Sequence, residues 1–172
     1  MTIRDLSTAA FIVSVLASAS QGADEKTRAK MLKDGAKKLT SAKAEEREEG
    51  MESIVGYIAC GDRQQYLPVL LKALKDQDPK VRARAALGIE KLQAAEAVPD
   101  LVAALEDANV DVRTRAAFAL GGMGKAAQGA VPALQKAQAR AKSAHNEDDE
   151  GSMTSALNEI SGKTPPNRFH CP

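Results

Sequence analysis

Asp76, Arg82 and Arg84 return 31 positions later as Asp107, Arg113 and Arg115. Arginine carries a permanent planar cation whose donors match a carboxylate. Repeated at one spacing, such groups suit either an acidic binding surface or internal ion pairs. Arg84 and Arg115 lie two positions beyond Arg82 and Arg113, so they face elsewhere on a helix. They are read as contacts for a protein partner, with a solvated face as the alternative.

Other chemistry is sparse. Glu147, Asp148, Asp149 and Glu150 follow His145 and Asn146. Clustered carboxylates suit Ca²⁺, but the glycine and alternating spacing of an EF-hand loop are missing. The stretch is therefore read as a solvated acidic loop, and no metal is expected. Cys60 and Cys171 lie far apart without metal-ligand spacing. In an exported chain they could close one disulfide, stabilising by about 2–4 kcal/mol. Otherwise Cys60 is a small buried residue and Cys171 a free thiol. Gly121, Gly122 and Gly124 lack the strand and basic residue of a phosphate loop. They fit a helix C-cap or close helix approach. No Ser-His-Asp, Cys-His or paired-carboxylate motif is visible, so neither an enzyme nor a cofactor is expected.

The elements that must position these residues are helical. The 172-residue chain is 44% apolar but only 3% aromatic, with no Trp. Its core must be built from Ala, Leu, Val and Ile, and Ala is the best helix former. The net charge of +1 gives no reason to expect nucleic acid. A basic helix over Lys26 to Lys43 is the one feature that would favour it, through salt-sensitive binding.

Residues 1–23 differ from the rest. Ala9 to Ala17 is a short apolar run, and Ala17-Ser18-Ala19 fits a small-residue cleavage pattern. The segment is read as a secretory signal peptide, which places the mature protein in the periplasm or outside the cell. The alternative is a capping helix on a cytoplasmic protein. Residues 24–163 form the repeat domain, and residues 164–172 an extended tail.

Within the domain, a basic helix from Asp24 to about Thr40 precedes an acidic one from about Ala42 to Cys60. Helices follow over about Arg63–Lys75, from Pro79, over about Glu96–Glu106, and after Asn109. Asp78 and Asn109 are their N-caps. Apolar stripes at helical spacing include Val81, Ala85, Ala86 and Ile89, then Val112, Ala116, Ala117 and Leu120. Set back by the same 31 positions, Ile54 and Ile58 match Ala85 and Ile89. A fixed period of this size means stacked helix pairs.

Asp76-x-x-x-x-Val81-Arg82-x-x-Ala85 and its second copy from Asp107 to Ala116 resemble the signature of HEAT repeats. The short period is similar to the bacterial HEAT-like subtype first named from phycobilin lyases. The resemblance implies an all-α, right-handed α-solenoid of about four helix hairpins that binds a protein partner as a non-catalytic scaffold. It also implies that Arg82 and Arg113 pair with the preceding Asp76 and Asp107, tying repeats together. By analogy with the lyase relatives, the second reading is an accessory subunit of a cofactor-handling enzyme. Family members that bind iron use His-Glu pairs, and neither His145 nor His170 is followed by Glu.

Overall fold

A computed structural model describes residues 25–58 and 63–165. Among them are eight α-helices and no strand. They are α1 (Glu25–Lys38), α2 (Ala44–Tyr57), α3 (Arg63–Ala73), α4 (Pro79–Leu92), α5 (Val98–Ala104), α6 (Val110–Gly122), α7 (Val131–Ser143) and α8 (Glu147–Ile160). Short 3-10 segments, Ala95–Ala97 and Gly124–Ala130, lead into α5 and α7.

The helices pair as hairpins. Odd-numbered helices pack on the even-numbered helix that follows, and the even-numbered helices stack in order: α2 on α4, α4 on α6, α6 on α8. One apolar cluster runs from Met51 to Ile160. The alanines at the centre of it, Ala85, Ala86, Ala116 and Ala117, are fully buried and leave the axes free to approach. The result is an α-solenoid whose continuous layer is made by α2, α4, α6 and α8.

Local chemistry sets the helix starts. Asp78 Oδ1 accepts the Lys80 N–H at 2.8 Å, and Asn109 Oδ1 accepts the Asp111 N–H at 2.9 Å. Each satisfies a donor that the first turn leaves open. Pro79, Pro99 and Pro132 occupy first turns, where a missing N–H costs little. Pro68 differs: it stands in the second turn of α3, where it has no N–H to donate to the Gln64 carbonyl four residues before it.

Two readings from the sequence need correction. Residues 147–150 are not a loop but the first turn of α8, capped by Asn146, whose side chain accepts the Asp149 N–H at 3.1 Å. Four acidic residues there meet the positive end of the helix dipole. The 31-residue offset also fails for the first hairpin. Arg47 in α2 makes the contacts that Arg82 makes in α4, and Ile54 takes the core place of Ile89. The first two hairpins are therefore offset by 35 positions. Cys60, His170, Cys171 and residues 1–23 lie outside the described residues.

Candidate interaction face and the arginine ladder

Arg47, Arg82 and Arg113 occupy the same place, four residues beyond the N-cap of α2, α4 and α6. Each sends Nη1 back to two carbonyls of its own hairpin turn. Arg47 donates to Ser41 and Ala42, both at 3.1 Å. Arg82 donates to Asp76 and Gln77 at 2.8 and 2.9 Å, and Arg113 to Asp107 and Ala108 at 2.9 and 3.1 Å.

The other edge of each guanidinium crosses to the next hairpin. Arg47 Nε lies 3.0 Å from Asp76 Oδ2. Arg82 holds Asp107 by two bonds, Nε to Oδ2 at 2.7 Å and Nη2 to Oδ1 at 2.8 Å. Arg113 Nε donates to Asp149 Oδ2 at 2.7 Å. The implied pairing is thus corrected. The carboxylate belongs to the following hairpin, and the preceding Asp76 and Asp107 offer Arg82 and Arg113 only their carbonyls. A side chain four residues into a helix reaches back over its own N-terminus, which brings it to the turn carbonyls and the neighbouring turn together.

Asp76 and Asp107 each also accept a backbone N–H, from Asp78 at 2.8 Å and Asn109 at 2.9 Å. Burial would push the Asp107 carboxyl up, but Arg82, the Asn109 N–H and Arg113 outweigh it and hold the group below the usual carboxylate range. Asp149 supplies its carboxylate from within a helix. Its Oδ1 is buried with no hydrogen-bond partner among the described residues.

Arg84 and Arg115 lie outside this ladder. Together with Lys80, Leu87 and Phe118 they line a groove of about 490 Å³ on the face of α4 and α6, with Glu48 of α2 at its edge. Lys80 pairs with Glu48 at 3.3 Å, and Arg84 with Glu52 at 3.7 Å. Arg115 makes no hydrogen bond or ion pair among the described residues. Phe118, one turn further on, is 37% exposed and is the exposed large apolar side chain of the described residues. Its position could have been read: residues three apart share a helix face, so Phe118 follows Arg115 outward.

Gly121 and Gly122 close α6 within the helix, where α4 and α8 approach it. A Cβ on Gly121 would lie 3.0 Å from the Ala156 Cα and 2.9 Å from Glu159 Oε2. A Cβ on Gly122 would lie 3.6 Å from Glu90 Cγ. Glu90 is 6% exposed. Burial pushes its carboxyl up, Arg115 draws it down and Glu159 pushes it further up.

A stack of helix hairpins tied by one recurring ion pair defines an α-solenoid repeat protein. The family model for HEAT repeats matches residues 67–158, more than half of the chain, and the protein belongs to the HEAT-repeat family. No curated protein matches the sequence. Repeats of this family are commonly scaffolds for protein interaction and are generally non-catalytic. No described helix is long and apolar enough to cross a membrane, and no described group of three or more His, Cys, Asp or Glu is placed to hold a metal ion.

Proposed function

We propose that the protein is a non-catalytic interaction module whose partner docks on the groove of α4 and α6. One observation carries this reading: an exposed aromatic, Phe118, stands one turn from Arg115, a cation with no ion pair among the described residues, in a groove between rigid helices. Arginine and aromatic residues dominate the energetics of protein interfaces. The matching ligand is a protein segment that offers a carboxylate to Arg115 beside an apolar side chain for Phe118. Ordered helices present both groups with little entropy left to lose. The pattern of residues 1–23 supports a partner met in the periplasm or outside the cell.

Cross-linking in the native cells, followed by capture of the tagged protein, identifies the partner. Phe118→Ala and Arg115→Glu should each weaken its binding about 10- to 100-fold, or roughly 1.4–2.8 kcal/mol. The melting curve of Phe118→Ala should match the wild type, since its side chain is exposed. A partner that binds both variants as tightly as the wild type removes the groove from the interface.

A further inference from the structure

Every odd-numbered helix after the first is anchored by large, fully buried apolar side chains: Tyr66 and Leu70 in α3, Leu101 in α5, Leu134 in α7. Helix α1 is not. Its apolar stripe, Met31, Leu32 and Ala36, continued by Leu39, is only half-buried, and it packs chiefly on α2. Between α5 and α7 the 3-10 segment Gly124–Ala130 packs on both helices. Between α1 and α3 a groove of about 560 Å³ opens instead. Ala36, Leu39, Pro68, Val69 and Ala73 give it an apolar lining, and the exposed Lys72 and Lys75 stand beside them.

Both walls are basic. Helix α1 carries six basic residues and two acidic ones, and α3 has no acid. The carboxylates around the groove are mostly taken. Arg47 holds Asp76 at 3.0 Å, Lys38 holds Glu49 at 2.8 Å, Lys43 holds Glu46 at 3.1 Å and Lys75 holds Asp100 at 3.0 Å. Asp34, in the hollow that adjoins the groove at Thr40, is the exception. The ammonium groups of Lys37, in that hollow, and of Lys72, in the groove, make no hydrogen bond or ion pair among the described residues. The net charge of +1 conceals this segregation. An apolar recess between unpaired cations fits a ligand that joins apolar side chains to carboxylates. A bilayer takes up apolar side chains that project, whereas these lie recessed between two helices. A nucleic-acid backbone draws on cations and has no use for an apolar floor.

We infer that the groove between α1 and α3 is a second docking surface, which takes an acidic amphipathic protein segment with its apolar side chains between Leu39 and Val69 and its carboxylates on Lys37 and Lys72. It lies on the layer of odd-numbered helices, whereas the groove of Arg115 and Phe118 lies on the even-numbered layer, and it stands whether or not that groove binds a partner.

The probe is a fluorescein-labelled peptide of about twelve residues in which pairs of Leu alternate with pairs of Glu. Its binding is followed by fluorescence anisotropy on protein purified from its own cells, in the Phe118→Ala form so that the other groove does not contribute. A Kd of about 10–100 µM is expected at low salt, weakening as salt rises. Peptides with Lys in place of Glu, or Ser in place of Leu, should bind about tenfold more weakly or not at all. Lys37→Glu and Lys72→Glu should each weaken binding about three- to tenfold. Lys142→Glu, which removes an exposed cation on α7, should leave it unchanged. The inference is overturned by no saturable binding up to about 1 mM, by equal binding of the Lys peptide, or by binding that both groove variants leave intact. It is also overturned by phosphatidylglycerol vesicles that displace the peptide through the same two lysines, which would make this face a membrane contact.

Discussion

A guanidinium that bonds two carbonyls on one side and a carboxylate on the other uses nearly all of its donors. Arg82 does so with its side chain 16% exposed and that of Asp107 13% exposed. Such a pair lies between the exposed kind, which contributes little, and the buried kind, whose breakage costs about 3–5 kcal/mol. Arg82→Ala should destabilise the protein by about 2–4 kcal/mol in urea unfolding at pH 7. Arg84→Ala, removing a half-exposed guanidinium at the weaker 3.7 Å pair, should cost under about 1 kcal/mol. The depressed pKa of Asp107 fixes the sign of its pH dependence. A carboxyl whose folded pKa lies below its unfolded value of about 3.9 adds stability above that value and loses it as pH falls through the folded pKa. Asp107→Asn should therefore be destabilised at pH 7, with the gap to wild type closing as pH drops below about 4. A gap that stays constant across that range would contradict the ladder's electrostatic role. The recurrence of Asp76, Arg82, Asp107 and Arg113 was legible from spacing. Their partners were not, because spacing alone does not say to which side of its own repeat a long side chain reaches.

Helices were legible wherever apolar residues recur and a polar cap precedes them, as at Asp78 and Asn109. Legibility failed where two signals compete. Glu147 to Glu150 looks like a solvated charge run, yet the dipole and the Asn146 cap make it a helix start, and the call of Arg113 for a carboxylate buries Asp149 there. Arg47 was missed because its turn begins at Lys43, which provides no side-chain cap, and because the first hairpin is longer than the period. Helix spacing also depends on residues with no signal of their own. Gly35 of α1 faces Gly50 of α2: a Cβ on Gly50 would lie 2.7 Å from the Gly35 carbonyl oxygen, and one on Gly35 would lie 2.6 Å from Ile54 Cγ1. In an isolated helix, Gly→Ala gains about 1 kcal/mol. Here the backbone of the neighbour blocks the methyl group, so Gly50→Ala should lower stability by about 1–3 kcal/mol. Thermal melting of Gly50→Ala beside Gly56→Ala checks this, since a Cβ on Gly56 meets nothing within 4 Å and that variant should hold or gain stability.

Among the described residues the main contacts of each hairpin are with the hairpins beside it, so stability is shared along the stack and end units must be closed off. If residues 1–23 are a signal peptide, protein isolated from its own cells should be shorter by about 19–23 residues. Intact mass of the unreduced native protein measures this directly, and a full-length mass would make the segment part of the fold. The sequence by itself determined the class of molecule: the 31-residue recurrence, the alanine-rich stripes and the capped helix starts permit a stack of helix hairpins and little else. These are local and periodic properties, written in neighbouring residues. Only the tertiary structure decided that Arg82 and Arg113 reach forward and that Arg47 completes the ladder. It alone brought Glu90 and Glu159 together over two glycines. Those juxtapositions join residues 25 to 69 positions apart, and they arise from how helices stack, which no single helix encodes.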